Sequence, residues 1–276
     1  MTTTTPTLTS ETVDVGDTTL HVSRSGTGAP LVWLHGSGPG ASGLSNFRGN
    51  LAAFDDFANL VFDFPRFGRS GRPHIEEPLI PYSGTRILRA LDAVGVERFS
   101  VVGNSYGGGV ASWIAGTAPD RVDSMVLMAP AGMYPPAVTG NDDLPYGIQL
   151  IYKAMREGIT RELMREFVST MVFDQSLVTD ELIDQRYEVA VRSNPEMEGV
   201  VDLGRVDALL PAITARSLVT WGADDRFLLP EWSLTWHRAI AGSEVHVFAR
   251  CGHWAQHERR DAFNQLVGNF LRSAAA

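Results

Sequence analysis

The sequence predicts an α/β fold in which a mostly parallel sheet is flanked by helices and interrupted by a helical insertion. Three observations carry this. Short unbroken apolar runs, Leu31-Val32-Trp33-Leu34 among them, alternate with helix-like stretches, as expected of strands buried on both faces. One such run, Val101-Val102, leads directly into Gly103-Asn104-Ser105-Tyr106-Gly107, a Gly-x-Ser-x-Gly turn that opens a small-residue helix. The buried-strand runs then vanish from about residue 134 to residue 210 before returning at Ser217-Leu218-Val219-Thr220-Trp221.

Taken in order, residues 12–15 and 19–22 alternate in character around Gly16-Asp17, the pattern of an antiparallel hairpin. The Leu31 strand follows, and the chain then turns glycine-rich from His35 to Gly43. Leu60-Val61-Phe62-Asp63-Phe64 is a second buried strand, running into Pro65-Arg66-Phe67-Gly68. Helical spacing over 82–94 leads to the Val101 strand. Residues 110–118 continue past the serine turn as a helix that Pro119 stops, and Met125-Val126-Leu127-Met128 supplies another core strand. Within the insertion, 150–155, 163–168 and 182–191 have helix-like apolar spacing. Val245-His246-Val247-Phe248 is the last strand, and 261–271 fits an amphipathic helix. Residues 1–133 and 211–276 are therefore read as the core and 134–210 as a helical lid.

A chain of 276 residues that is 44% hydrophobic can bury one substantial core. Its net charge of −9 repels nucleic acid and anionic membranes at long range, so neither is expected as a partner, and an anionic ligand must be met by local cations. Cys251 is the sole cysteine, which excludes an intrachain disulfide and a thiolate metal cluster and points to a reducing, cytoplasmic compartment. The threonine-rich start, residues 1–10, lacks the basic and apolar regions of a signal peptide and reads as a frayed tail. No apolar run approaches the roughly 20 residues of a membrane span.

A serine alcohol is a poor nucleophile at neutral pH, so a catalytic Ser105 must be lifted on a tight turn whose neighbours carry almost no side chain. Taken alone, the pentapeptide also admits a glycine-rich turn with an incidental serine. Two later stretches decide otherwise: Gly222-Ala223-Asp224-Asp225-Arg226 and Cys251-Gly252-His253-Trp254 both follow core strands. The chain order Ser, Asp, His makes His253 the acceptor of the Ser105 proton, with a carboxylate orienting its imidazole. Asp224 and Asp225 both compete for that place; Cys251 reads as a small core residue. Gly38-Pro39-Gly40-Ala41-Ser42-Gly43 formally matches a dinucleotide fingerprint, with Asp63 placed 20 residues beyond as the ribose acid. The competing reading makes that loop half of an oxyanion hole, from the backbone amides of Ser37 and Tyr106.

The Ser-Asp-His order is that of the α/β-hydrolases, and the motifs together resemble one subgroup, the meta-cleavage product hydrolases. The resemblance rests on His35-Gly36-Ser37-Gly38-Pro39-Gly40-Ala41 with Ser45-Asn46, Gly103-Asn104-Ser105, Phe173-Asp174-Gln175-Ser176-Leu177, Trp221-Gly222-Ala223-Asp224-Asp225-Arg226-Phe227 and Cys251-Gly252-His253-Trp254-Ala255-Gln256. It implies an α/β-hydrolase fold with an eight-stranded sheet and a helical lid, and it favours Asp225 as the acid. The implied reaction is hydrolysis of a carbon–carbon bond in a 2-hydroxy-6-oxo-2,4-dienoate to a carboxylic acid and 2-hydroxypenta-2,4-dienoate, with no metal and no organic cofactor. Asn46, Asn104, Arg186 and Trp254 are then expected at the substrate's carboxylate and 2-hydroxyl, with Ser176 and the amides near Ser37 and Gly38 lining the pocket. Family members are often oligomeric, which makes a homo-oligomer the expected assembly. The sequence departs from the family at Phe64-Pro65-Arg66, at Leu229 and in a shortened lid after Arg186. Those departures leave a carboxylesterase for acidic aromatic esters, such as monoalkyl phthalates, as the competing activity.

Overall fold

The computed structural model describes residues 7–134, 144–193 and 202–273; the first residues of the threonine-rich tail and two stretches of the expected lid, 135–143 and 194–201, lie outside them. Eight strands form one sheet: β1 (Thr9–Asp14), β2 (Thr19–Ser25), β3 (Ala29–Leu34), β4 (Phe57–Phe62), β5 (Phe99–Asn104), β6 (Val122–Met128), β7 (Arg216–Gly222) and β8 (Glu244–Phe248), in the order β1-β2-β4-β3-β5-β6-β7-β8. β2 pairs antiparallel with β1 and β4, and every other pairing is parallel.

The helices are α1 (Gly43–Phe47), α2 (Leu79–Ala93), α3 (Tyr106–Thr117), α4 (Tyr146–Glu157), α5 (Arg161–Met171), α6 (Asp180–Ser193), α7 (Trp232–Ala239), α8 (Ala255–Glu258) and α9 (Arg260–Arg272). The short helices α1, α7 and α8 were not legible as periodic segments. The unbroken apolar runs have a simple cause: Val32 and Leu34 face one core with Ile87 and Ile114, while Leu31 and Trp33 face a second with Phe47 and Phe263. A strand covered on both sides has no polar face to alternate with. Between β6 and β7, α4, α5 and α6 build a third cluster, in which Leu150, Met164, Phe167 and Ile183 pack with Phe227 and Trp254 of the core. The inserted helices are thereby seated over the ends of β7 and β8, where the sequence placed the acid and the histidine.

Candidate active site

Ser105 joins β5 to α3 with φ 53° and ψ −114°, a backbone conformation that side-chain-bearing residues rarely hold. Its amide donates to Met128 O (2.8 Å), and its carbonyl accepts from Gly109 N (3.1 Å) and Ala131 N (2.9 Å). The strained turn is thus fastened to the end of β6. Gly107 explains the required glycine: a Cβ there would lie 2.1 Å from Leu34 O, so only a bare backbone lets α3 start against β3.

His253 is buried, and its Nδ1 lies 2.7 Å from Asp225 Oδ2. The other carboxylate oxygen, Oδ1, accepts from the amides of Phe227 (2.8 Å) and Leu228 (3.1 Å). With Nδ1 turned to a carboxylate, Nε2 is the nitrogen left for a proton acceptor's work. Asp224 is exposed and does something else. Its Oδ2 accepts from Cys251 N (3.2 Å) and its amide donates to Cys251 O (2.9 Å), so it ties two loops together. Ser105 Oγ and His253 Nε2 share no hydrogen bond in this structure, a looseness common before substrate is bound. Phe227 stacks on the imidazole, with ring centroids 5.2 Å apart at 30°. The sequence motif contained Phe227, but nothing in its spacing marked it as a wall of the histidine. Cys251 is fully buried, and burial pushes its thiol well above the usual range, as befits a core residue.

The glycine-rich loop after β3 is built rigidly. His35 Nε2 accepts from Phe64 N (3.0 Å), so Nδ1 carries the proton and donates to Gly36 O (2.7 Å). Burial, foremost, holds His35 below the ordinary histidine pKa and keeps it neutral. Asp63 is no ribose acid: Oδ1 caps the α1 amide of Gly43 (2.8 Å), while Oδ2 faces Arg69 N (2.9 Å) and His21 Nδ1 (3.1 Å). Burial alone would raise its pKa, but the His21 hydrogen bond, foremost, and the two amides hold it below the usual carboxylate range. The dinucleotide reading is therefore set aside, because its acid is consumed in holding the loop. Ser37, Gly38, Ser105 and Tyr106 all line a cavity of about 1060 Å³, to which Ile148, Ile151, Tyr152, Met155, Leu203 and Leu228 contribute apolar and aromatic walls. The amides of Ser37 and Tyr106 donate to no acceptor among the described residues.

Beside this loop lies a buried polar group. Asn46 Nδ2 donates to Asn104 Oδ1 (3.1 Å), and Asn104 Nδ2 donates to Met128 O (3.3 Å). Arg186 is only 3% exposed; one nitrogen, Nη2, donates to Pro39 O (2.7 Å), and its guanidinium stacks over the Trp254 ring at 4.6 Å. Among the described residues Nε and Nη1 are buried without a partner, and no acidic side chain neutralises Arg186. Burial pulls its pKa down to about 10. Asn46 of α1 thus pairs with Asn104 of β5, and Arg186 of α6 with Trp254 of the loop before α8; none of the four is among the residues that line the cavity. Ser176 does not join them. It sits exposed on the short 3-10 turn Gln175–Leu177, where Asp174 caps its amide (3.0 Å), and it does not line the cavity. Among the described residues no group of histidine, cysteine or acidic side chains could hold a metal ion, and no helix is long and apolar enough to cross a membrane.

The model of the alpha/beta hydrolase family matches residues 31–266. The chain is 35% identical to a 2-hydroxy-6-oxo-6-phenylhexa-2,4-dienoate hydrolase of Comamonas testosteroni, over 94% of this chain and 93% of that one. It is 33% identical to a 2-hydroxy-6-oxononadienedioate/2-hydroxy-6-oxononatrienedioate hydrolase of the same species, over 91% of each. Among solved structures, a meta-cleavage product hydrolase from Pseudomonas fluorescens superposes with a TM-score of 0.85 at 30% identity, covering 96% of this chain and 98% of that one.

Proposed function

Because this chain belongs to the alpha/beta hydrolase family, and within it to the meta-cleavage product hydrolases, we propose that it cleaves the carbon–carbon bond of a 2-hydroxy-6-oxo-2,4-dienoate. Water adds across the bond between C5 and C6: the acyl carbon takes the hydroxyl and leaves as a carboxylic acid, and C5 takes the hydrogen to give 2-hydroxypenta-2,4-dienoate. The observation that carries this reading is Arg186. A buried guanidinium with two unpartnered nitrogens and, among the described residues, no acid beside it is costly unless a ligand brings the anion, and the substrate's carboxylate fits that fork.

A dienol has no leaving group, so a proton must first reach C5, producing a ketone whose neighbouring bond can break. In this proposal Arg186, Asn46, Asn104 and Trp254 hold the carboxylate and 2-hydroxyl during that step. Ser105, His253 and Asp225 then act on the distal ketone, whose oxyanion the Ser37 and Tyr106 amides receive. Gly38 supplies backbone beside them, packed so closely against Phe167 that a Cβ would lie 2.8 Å from its ring. The only macromolecular partner this reading includes is a further copy of the same chain, and the single, buried Cys251 supports a cytoplasmic setting.

The test is spectrophotometric. Purified protein should bleach the yellow dienolates of ring-fission products carrying alkyl or aryl distal groups, with kcat/KM well above that for p-nitrophenyl esters or monoalkyl phthalates. Persistence of every dienolate alongside rapid turnover of an acidic ester would hand the site to esterase chemistry.

A further inference from the structure

The loop that delivers His253 is held by three consecutive amides, each gripped by a different part of the molecule. Cys251 N donates to Asp224 Oδ2 (3.2 Å), Gly252 N to Glu258 Oε2 (2.6 Å) and His253 N to Met171 O (2.8 Å). Met171 ends α5 of the inserted segment. There is no slack around Gly252, since a Cβ there would lie 2.4 Å from Met171 O and 2.9 Å from the Cα of Val172. The histidine loop is pressed directly against the inserted helices.

Glu258 spans the same seam. While Oε2 takes the Gly252 amide, Oε1 accepts from Asp174 N (2.5 Å), two residues beyond the contact with Val172. Arg250 and Arg259 line the same small cleft, yet the carboxylate spends both oxygens on backbone amides. An ion whose two oxygens each meet an N–H fixes the separation of those amides more firmly than a surface ion pair would. We infer that Glu258 is a positioning residue for the base: its carboxylate fastens the 172–174 turn of the inserted segment to the Gly252 amide and so sets where the His253 imidazole stands. The inference rests on the reading of Ser105 and His253 as nucleophile and base. It gives the inserted segment a second task beside covering the cavity, because α5 and the catalytic loop become one mechanical unit.

The experiment compares Glu258→Gln and Glu258→Ala with wild type, Ser105→Ala and His253→Ala. A fluorophosphonate probe forms a bond from Ser105 Oγ to phosphorus and expels fluoride, so its final stoichiometry counts folded sites while its rate reports activation of the serine. Gln keeps the shape but presents an NH₂ where an acceptor is needed. Both Glu258 variants should reach full stoichiometry, with labelling rate and kcat for the dienolate lowered about 10- to 100-fold, the scale of a catalytic group misplaced by roughly an ångström. KM should stay within about threefold. Wild-type labelling rates in both variants would overturn the inference, as would losses that merely track the stoichiometry or that fall on KM. Unimpaired labelling of Ser105→Ala or His253→Ala would instead sink the underlying reading of the site, so the two failures are separable.

Discussion

Asp224 and Asp225 are adjacent, yet the turn after β7 sends one carboxylate into the interior against His253 and leaves the other exposed beside the Cys251 amide. That difference sets the expected mutants apart. Asp225→Asn removes the charge that orients and stabilises the imidazole and should lower kcat by orders of magnitude. Asp224→Asn keeps an oxygen for the Cys251 amide and should cost less than about tenfold, because a catalytic group is displaced by far less than an ångström. A larger loss at Asp224, measured on the same dienolate, would reverse the assignment. Ser105→Ala and His253→Ala should fold normally and each lose at least about a thousandfold in kcat. For Arg186→Ala the distinguishing readout is the kind of substrate: binding of acidic ones should weaken by about 2–5 kcal/mol while neutral esters change little. Equal losses on both would mark the arginine as structural. Residue types and chain order pointed to Ser105, to His253 and to the Asp224-Asp225 pair, since each follows a strand end, but the choice of Asp225 within that pair came only from the resemblance. Arg186 was legible only through resemblance, because a helical Asp-Gln-Arg-Tyr-Glu stretch looks the same whether its arginine faces solvent or interior.

At the scale of elements, the strands were readable because burial on both faces leaves no polar residue to interrupt them, as in Leu31–Leu34 and Met125–Met128. Helices α1 and α8 were not, since each spans barely a turn and is fixed by tertiary contacts; α1 hangs on the Ser42 cap and on Asp63, 20 residues further along the chain. The hairpin turn has a partner that the alternation around Gly16-Asp17 could not announce. Asp17 accepts from Arg86 Nη2 (2.6 Å) and from the Tyr82 hydroxyl (2.8 Å), fastening the β1–β2 turn to α2. The hydrogen bond from Arg86, foremost, holds the Asp17 pKa down to about 2. A carboxylate depressed on folding adds stability above its unfolded pKa of about 3.9, and that stability is lost as pH falls through its folded value. Asp17→Asn should therefore lower the Tm slightly at pH 7, by the 0.2–1 kcal/mol or so typical of an exposed pair, and the gap to wild type should close near pH 2. A gap that persisted undiminished in acid would show that the loss was of packing or hydrogen bonding and not of charge.

The whole molecule poses an electrostatic conflict, since a protein of net charge −9 is proposed to bind an anion. The charges are not spread evenly. Among the described residues Arg66, Arg72, Arg156 and Arg205 line the cavity against Glu157 and Asp202, although Arg205 is shared with Asp207 (2.7 Å) and Arg66 has an interaction of its own. At physiological ionic strength the Debye length is about 8 Å, so an approaching substrate feels the cavity's own arginines more than the acidic surface behind them. Arg186, buried beneath, has its charge shielded from bulk ions by the protein and changes little with salt. Raising salt from roughly 0.05 to 0.3 M should then screen the arginines first and lower kcat/KM for a dienolate severalfold, chiefly through KM, while a neutral ester stays nearly constant. Arg156 is the most direct probe, being exposed and without a salt bridge among the described residues. Arg156→Glu should depress kcat/KM at low salt and flatten its salt dependence, leaving kcat almost unchanged. A wild-type kcat/KM that instead climbed with salt would mean that the net negative charge dominates approach, and that the cavity's arginines serve the distal acyl group or the fold, not the capture of an acidic substrate.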